Sequence, residues 1–569
     1  MEVGQTDIPL DVVRLALESE TGTGYAALMP PRVRISRFVW IAFAVIAAFA
    51  GIWLRTWQLG SQILIDDEWH AIQKLLTSDY ANIASHFGLA DYCIPLTLYF
   101  KFLTLHGGLT EWAMRWPMLV CGVALIFAAP WLLRRQANPA VLAVWMGLIA
   151  ISPMMTYHSR VARPYAMTTL LVFVAIVAFR EWRSREERRS QWAVLYVICT
   201  TLAAWLHLIT LPFTLLPFVF FGVDALRHRS AWKSLSALIV LGSITAALIA
   251  IALVPPLVGD WHSLSSKSGT GYLTPSSIYR SLLACFGISG PLIFCVMAAL
   301  CAAGITSWMK RDRGFVAYIG TVAIGGAIAI GILHPAWIQN PVTFGRYIQP
   351  VVPFILLFVA EGFAFASARV SDIPRASIGA VALVGLVFAG PMPDYLYSPN
   401  QFMAHAYFQF DYDPAHNSMR TSFPVGPIPD FYRQLGAQPA RSLTLIEAPW
   451  SLRSDRDPQE FYQAAHRQNV RIGFVGPLCG SPGYGEFGED SGIRLRHFVH
   501  VTALMRGETH GDFLVMHRQP WPAPRADFPD VVACLPAIEA KLGEPAYDDG
   551  DLAVFALTPK AQAVAKILH

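Results

Sequence analysis

The stretch RFVWIAFAVIAAFAGIWLRTW at residues 37–57, followed by Ile65-Asp66-Asp67-Glu68-Trp69-His70, decides how this chain is read. The apolar run is about as long as the roughly 20 residues an α-helix needs to cross a bilayer. Three adjacent carboxylates just beyond it stand at a membrane surface, where spanning does not require them and another use must be sought. The rest of the chain continues in the same vein. Over 569 residues it is 54% hydrophobic and 14% charged, with a mean hydropathy of +0.43, whereas a soluble protein carries roughly a quarter charged residues. A soluble protein is excluded, and the chain reads as a mostly α polytopic membrane protein.

Apolar runs of spanning length fall at about 37–57, 116–133, 139–157, 164–182, 191–208, 211–226, 233–257, 284–308, 315–333, 347–368 and 376–390, which makes eleven. Orientation follows from Lys and Arg, which cytoplasmic loops retain. Arg32, Arg34 and Arg37 precede the first span, and further clusters stand at Arg134-Arg135, Arg183 to Arg189, Arg227 to Lys233, Lys310 to Arg313, and Arg369 with Arg375. All fall on one side if the spans alternate. The N-terminus is then cytoplasmic and everything after Pro391 is external. Cys93 to His106 is apolar but too short to cross and carries Lys101. Were it to cross, Arg134-Arg135 would move outside, so it is expected to lie in the outer interface.

Three regions result: a cytosolic tail over 1–36, a membrane domain over 37–390, and an external domain over 391–569. The outer loop 58–115 of the membrane domain is expected to hold helices at Asp67–Leu76 and Pro95–Leu105. In the external domain, Ser442–Ala448, Val470–Val475, Asp512–His517 and Leu552–Leu557 read as strands, and Gln459–Gln468 and Val531–Leu542 as helices. Such alternation suggests a small α/β unit. Gly480-Ser-Pro-Gly-Tyr-Gly is a Pro-containing loop and not a phosphate cradle. The eight cysteines show no CxxC pair or His/Cys ligand spacing, so no structural zinc site is expected. Cys479 and Cys534 could pair in an oxidising compartment. The absence of any Asn-x-Ser/Thr acceptor leans toward a bacterial origin, and the expected location is the bacterial inner membrane, with the last domain periplasmic or extracellular.

Cations on the outer face run against the topology rule, and there they are Arg55, Lys101, Arg115, Arg160, Arg163, Lys267, Arg280 and Arg346. Three sit among aromatic residues, in Tyr157-His158-Ser159-Arg160-Val161-Ala162-Arg163-Pro164-Tyr165 and in Gly345-Arg346-Tyr347. Guanidinium groups at a membrane boundary suit a phosphate head group, because partial desolvation strengthens charge-assisted hydrogen bonds. The plain alternative is interfacial anchoring, with the guanidinium snorkelling and the ring in the aromatic belt. The acids have a plain alternative too, as a solvated helix start. His207, near the outer end of the fifth span, reads first as a packing residue.

Asp67-Glu68, Asp91 with Pro95-Leu96, Ser152-Pro153, Tyr157, Ser159, Arg163-Pro164-Tyr165, and Arg346-Tyr347 with Pro350 and Pro353 occur in a telling order. That order resembles membrane glycosyltransferases of the GT-C type, and more narrowly the protein O-mannosyltransferase and aminoarabinose transferase group. The resemblance covers about residues 37–368. Many relatives carry a His before the Pro-Leu pair, where this chain has Tyr92-Cys93-Ile94, which leaves Asp91 as the nearest second polar candidate.

The resemblance implies a polyprenyl-phosphate sugar donor, a hydroxyl acceptor on a lipid, glycan or protein, and Asp67 as the general base, with Glu68 beside it. A carboxylate in reach draws the proton from an acceptor hydroxyl as the bond to the anomeric carbon forms. The leaving phosphate is already a stable anion and needs fixed cations rather than an acid. Arg163 and Arg346, with Tyr165 and Tyr347, are the donor-phosphate candidates, and Arg160, Lys267 and His158 the lesser ones. Displacement without a covalent carboxylate intermediate inverts the sugar. No cofactor and no nucleic acid are expected; a divalent ion on the Asp-Glu pair is the alternative to direct Arg contact. Two other readings stand beside this one: a polymer ligase using a lipid diphosphate donor, and a transporter or flippase for lipid-linked sugars.

Overall fold

A computed structural model describes residues 31–57, 59–60, 68, 72, 75, 77–88, 92–227, 231–288, 290–390, 392–393, 427–450, 459–480, 486–488, 490–495, 497–519 and 528–568. Asp66, Asp67 and Asp91 lie outside them. In chain order the membrane region contains α1 (Pro31–Thr56), α2 (Tyr80–Ser85), α3 (Ile94–Leu105), α4 (Glu111–Leu132), α5 (Pro139–Ile151), α6 (Pro153–His158), α7 (Tyr165–Ser184) and α8 (Arg189–Leu206). It continues through α9 (Leu211–Arg227), α10 (Ala231–Gly259), α11 (Trp261–Ser266), α12 (Pro275–Phe286), α13 (Pro291–Arg311), α14 (Arg313–Leu333), α15 (Pro341–Ile348), α16 (Val352–Ala366) and α17 (Asp372–Ala389).

Among the described residues nine helices are long and apolar enough to cross a membrane: α1, α4, α7, α9, α10, α13, α14, the continuous α15–α16 unit, and α17. Two of the eleven expected spans differ. The run at 191–208 is α8, of 18 residues, but it is not one of the nine. The run at 139–157 holds only the 13 residues of α5. Ser152 leaves the helical conformation (φ −58°, ψ 120°), and Pro153, which disfavours helix in the residue before it, restarts the chain as α6. Apolar side chains continue across this break, so hydropathy alone cannot see it. The expected interfacial helix is α3, 12 residues with Phe102 and Leu105 exposed. Its Lys101 Nζ donates to the Leu75 carbonyl at 2.6 Å.

The helices divide their ends. Arg183, Arg189, Arg227, Arg311, Arg313 and Arg375 mark one set, and Tyr165, His207, Leu211, Leu333 and Asn340 mark the other. The centre of the bundle is α15–α16 and α7, whose most apolar windows are 83% and 72% buried, against 17% for α13 and α17. Helix α13 lies so close to α16 that a Cβ on Gly304 would stand 1.8 Å from the Phe358 carbonyl oxygen, and one on Gly362 1.8 Å from that of Leu300. Small residues at such crossings let backbones meet without a side chain between them.

The external region folds as a six-stranded sheet of β1 (Thr444–Ala448), β2 (Asn469–Phe474), β3 (Phe498–His500), β4 (Phe513–His517), β5 (Tyr547–Asp548) and β6 (Leu552–Ala556). The order is β3-β2-β1-β4-β6-β5, with the first four neighbours parallel and β6 antiparallel to both β4 and β5. The strands read from sequence are β1, β2, β4 and β6. Strands β3 and β5, of three and two residues, are too short to show alternation. Cys479 and Cys534 form the disulfide that the sequence left open. The sheet domain is docked as well as tethered. The Leu109 N–H donates to the Gly492 carbonyl and the Arg494 N–H to the Leu109 carbonyl, each at 2.8 Å.

Replacing Gly362 by Ala is expected to destabilise the bundle by about 1–3 kcal/mol, the usual effect of overpacking a tight contact. A thermal unfolding curve in detergent checks this, and an unchanged midpoint would show that α13 and α16 are free to separate.

Candidate functional site

The break after α5 creates a chemical demand. A helix end leaves its last carbonyls without partners, and a bilayer has no water to offer them. Arg55 meets this demand. Its guanidinium is fully buried and donates to the carbonyls of Ile149 (3.2 Å), Ala150 (2.8 Å) and Gly51 (3.0 Å), with Nε donating to Ser159 Oγ at 3.2 Å. Arg160 acts similarly, donating to the Leu54 carbonyl at 3.0 Å. Together they hold the segment 159–163 against α1.

Glu68 fixes the same segment from the other side. Its carboxylate is 0% exposed and grips Arg115, also 0% exposed, in a bidentate pair: Arg115 Nε to Oε1 at 3.0 Å and Nη2 to Oε2 at 2.9 Å. Oε1 also accepts the Ala162 N–H at 2.6 Å, while Arg115 Nη1 donates to the Leu59 carbonyl at 3.0 Å. Glu68 therefore neither points into solvent nor lines the cavity described next, and the catalytic pairing expected of it is corrected to a supporting role. Its two oxygens are committed to an ion pair and a backbone N–H.

Two further expectations change for comparable reasons. Arg160 faces the α1 carbonyl and is not a cavity residue. His158 is buried behind the site, its Nδ1 bonded to Gln349 Oε1 and its ring between those of Tyr157 and Tyr165 at 4.9 and 4.8 Å. It buttresses Tyr165 and is not among the residues lining the cavity described next.

The remaining candidates among the described residues converge. Arg163, Tyr165, Lys267, Arg346 and Tyr347 line one cavity of about 1020 Å³. Arg163 precedes α7, and Pro164 and Tyr165 turn the chain directly into that helix. Arg346 lies in the last turn of α15, which a 3-10 turn at Gln349–Val351 joins to α16. Its guanidinium carbon lies 5.0 Å from the Tyr165 ring centre and 5.4 Å from that of Tyr347, a stacked placement that favours Arg over Lys. Lys267 reaches in from the loop after α11, with Nζ 5.4 Å from the Tyr92 ring centre. Tyr92 ties the outer loop to the same segment, its hydroxyl donating to the Ser263 carbonyl at 2.6 Å.

Away from these cations the wall becomes apolar. Leu211, Leu215 and Val219 line it from α9, and Ala329 and Leu333 from α14, each set spaced by four residues on one helix face. Leu215, Val219 and Leu333 are exposed, so this wall is open rather than sealed. Sequence reasoning missed Tyr92 as a wall residue and set His207 aside, yet both line the cavity. Position at a span end was the only signal for His207. Among the described residues no group of three or more His, Cys, Asp or Glu side chains is placed to hold a metal ion.

No family model matches the chain, and no curated protein matches it. Among solved structures it is similar to apo ArnT from Cupriavidus metallidurans, at 14% identity over 92% of this chain and 98% of that one, with a TM-score of 0.44. The same protein bound to undecaprenyl phosphate gives 14% identity, the same coverage and a TM-score of 0.42. The apo Archaeoglobus fulgidus oligosaccharyltransferase gives 13% identity over 76% of this chain and 64% of that one, with a TM-score of 0.37. These are loose likenesses in layout, and the cavity carries its own chemistry.

Glu68→Gln is expected to lower stability by about 3–5 kcal/mol, because it removes the carboxylate from a fully buried, bidentate ion pair with Arg115. Replacing both residues by Met should restore much of that loss. Thermal melts of the purified single and double variants decide it; a single variant as stable as the parent would show that the pair does not hold the segment.

Proposed function

We propose that this chain is an integral membrane glycosyltransferase that moves a sugar from a polyprenyl-phosphate carrier to a hydroxyl acceptor. The observation that carries this reading is the composition of one cavity. Arg163, Arg346 and Lys267 stand at its polar end, and the faces of α9 and α14 give it an apolar wall. A ligand that fits has an anionic head and a hydrocarbon tail. The guanidinium groups meet the charge that grows on phosphate as the bond to the sugar breaks, and the low dielectric around them strengthens that contact. Tyr165 and Tyr347 hold Arg346 in place and offer flat faces beside it.

Asp67 is the proposed general base, taking the acceptor proton while the hydroxyl oxygen bonds to the anomeric carbon from the side opposite phosphate, with inversion. What supports the choice is its sequence neighbour: Glu68 is bonded to the N–H of Ala162, the residue before Arg163. The proposed setting is a bacterial inner membrane with the cavity facing away from the cytosol. The clustering of basic residues at the opposite helix ends supports it.

With reconstituted protein and a polyprenyl-phosphate sugar, Arg346→Ala is expected to raise the donor KM by about tenfold or more, the loss of one charge-assisted contact. Arg346→Lys should recover only part of this, since an ammonium cannot reproduce a stacked fork. A donor titration equal to the parent's would remove Arg346 from the phosphate site. Asp67→Asn should lower turnover by about 100-fold or more while leaving donor binding intact; near-parental turnover would exclude Asp67 as the base.

A further inference from the structure

We propose that Trp337 is the surface on which the sugar ring of the donor lies; this rests on the polyprenyl-phosphate reading of the cavity. Trp337 lines that cavity and is 46% exposed. Its backbone is left-handed, at φ 64°, a region that bulky side chains seldom enter because Cβ crowds a neighbouring carbonyl oxygen. An indole that only anchors a span end in the aromatic belt needs no such conformation. Strain of this kind persists where the surroundings impose it, and it gathers at ligand sites. Trp261 also lines the cavity and is exposed, but it opens the helix α11 in ordinary helical backbone.

The surroundings that impose it here belong to the loop that carries Lys267. The Ala336 N–H donates to the Lys267 carbonyl at 2.9 Å, and His334 Nδ1 donates to the Gly271 carbonyl at 2.6 Å. The Gly271 N–H donates in return to the His334 carbonyl at 3.3 Å, and a Cβ on Gly271 would stand 2.0 Å from the Pro335 carbonyl oxygen. On the other side the Trp337 carbonyl accepts the Asn340 N–H at 2.9 Å, and Asn340 leads directly into α15 and Arg346. Trp337 is thus clamped between the segments that bear two of the cavity's cations.

Position decides which part of the donor it meets. The apolar wall climbs α14 from Ala329 to Leu333, and Trp337 comes after the end of that helix. A tail on that wall and a phosphate at Arg163, Arg346 and Lys267 leave the sugar as the group beyond phosphate, at the outer rim. A pyranose ring presents a face of C–H groups to the negative face of an indole, while its hydroxyls stay in water at the edge. A half-open aromatic surface suits such a ligand better than it suits a hydrocarbon chain.

Equilibrium binding to the full-length protein in nanodiscs tests this. The probes are undecaprenyl phosphate esterified to glucose, mannose or arabinose, and undecaprenyl methyl phosphate, a diester of the same charge without a sugar. Stacking reads a ring face and not individual hydroxyls, so the parent should bind at least one sugar carrier about fivefold or more tighter than the methyl diester. Trp337→Gly keeps the left-handed backbone, which Gly adopts freely. It should bring every sugar carrier to within about twofold of the methyl diester and leave binding of the methyl diester unchanged. Should the Gly variant fail to fold, Trp337→Asn, whose short side chain also tolerates that backbone, must show the same loss. A parent without the preference, or a variant that keeps it, overturns the proposal. So does a variant that weakens the methyl diester as much as the sugar carriers, which would place Trp337 against the tail or the bilayer. A parent that binds none of the diesters removes the carrier reading itself, whereas a parent that binds the methyl diester with no preference for sugar removes only the role of Trp337.

Discussion

The bidentate pair between Glu68 and Arg115 joins the pieces from which the cavity is built. Both side chains are fully buried, and each buried ion carries a desolvation penalty of several kcal/mol that is offset only when geometry and the remaining hydrogen bonds are good. Here they are met. Glu68 Oε1 takes both Arg115 Nε and the Ala162 N–H, and Arg115 also holds the Leu59 carbonyl. The pair thus binds the outer loop to the chain after α1, to α4, and to the segment ending at Arg163. An acid that never reaches the cavity places one of the cations that does.

The same logic extends to the breaks in the innermost elements. Ser152-Pro153 ends α5, and Gln349-Pro350 separates α15 from α16. The first break leaves carbonyls that Arg55 takes up, and the second lies three residues after Arg346, which lines the cavity. Arg55 and Arg160 satisfy carbonyls, and Arg163 and Arg346 line the cavity. From sequence all four look alike, because each is an Arg near a span end on the outer side. The positive-inside rule identified them as worth asking about. It could not sort them, since sorting requires knowing where helices end, and apolar side chains run through Met154 and Met155 without a pause.

Other features were legible for equally physical reasons. The long spans carry their signal in every residue, and β4 and β6 are nearly continuous apolar runs because a mostly parallel sheet is covered on both faces. Arg163-Pro164-Tyr165 and Arg346-Tyr347 were legible as candidates because each sets a cation among aromatic residues on the outer side, and Arg163, Tyr165, Arg346 and Tyr347 line one cavity. Tyr92 and His207 were not. Their contribution comes from loops that the fold brings over the cavity, and nothing local in Tyr92-Cys93-Ile94 or Trp205-Leu206-His207-Leu208 announces it.

The two ends of the cavity contribute different things to recognition. Each hydrocarbon unit seated on the walls of α9 and α14 adds affinity of about 0.8 kcal/mol at most, but the surrounding bilayer offers nearly the same environment, so the wall guides a tail without selecting it. Selection falls to the cations. In the proposed donor site an anionic head would meet Arg163, Arg346 and Lys267, whereas a neutral lipid brings them no charge. The buried pair at Glu68, the carbonyl contacts of Arg55 and Arg160, and the stacking of Arg346 fix where Arg163 and Arg346 stand along the wall.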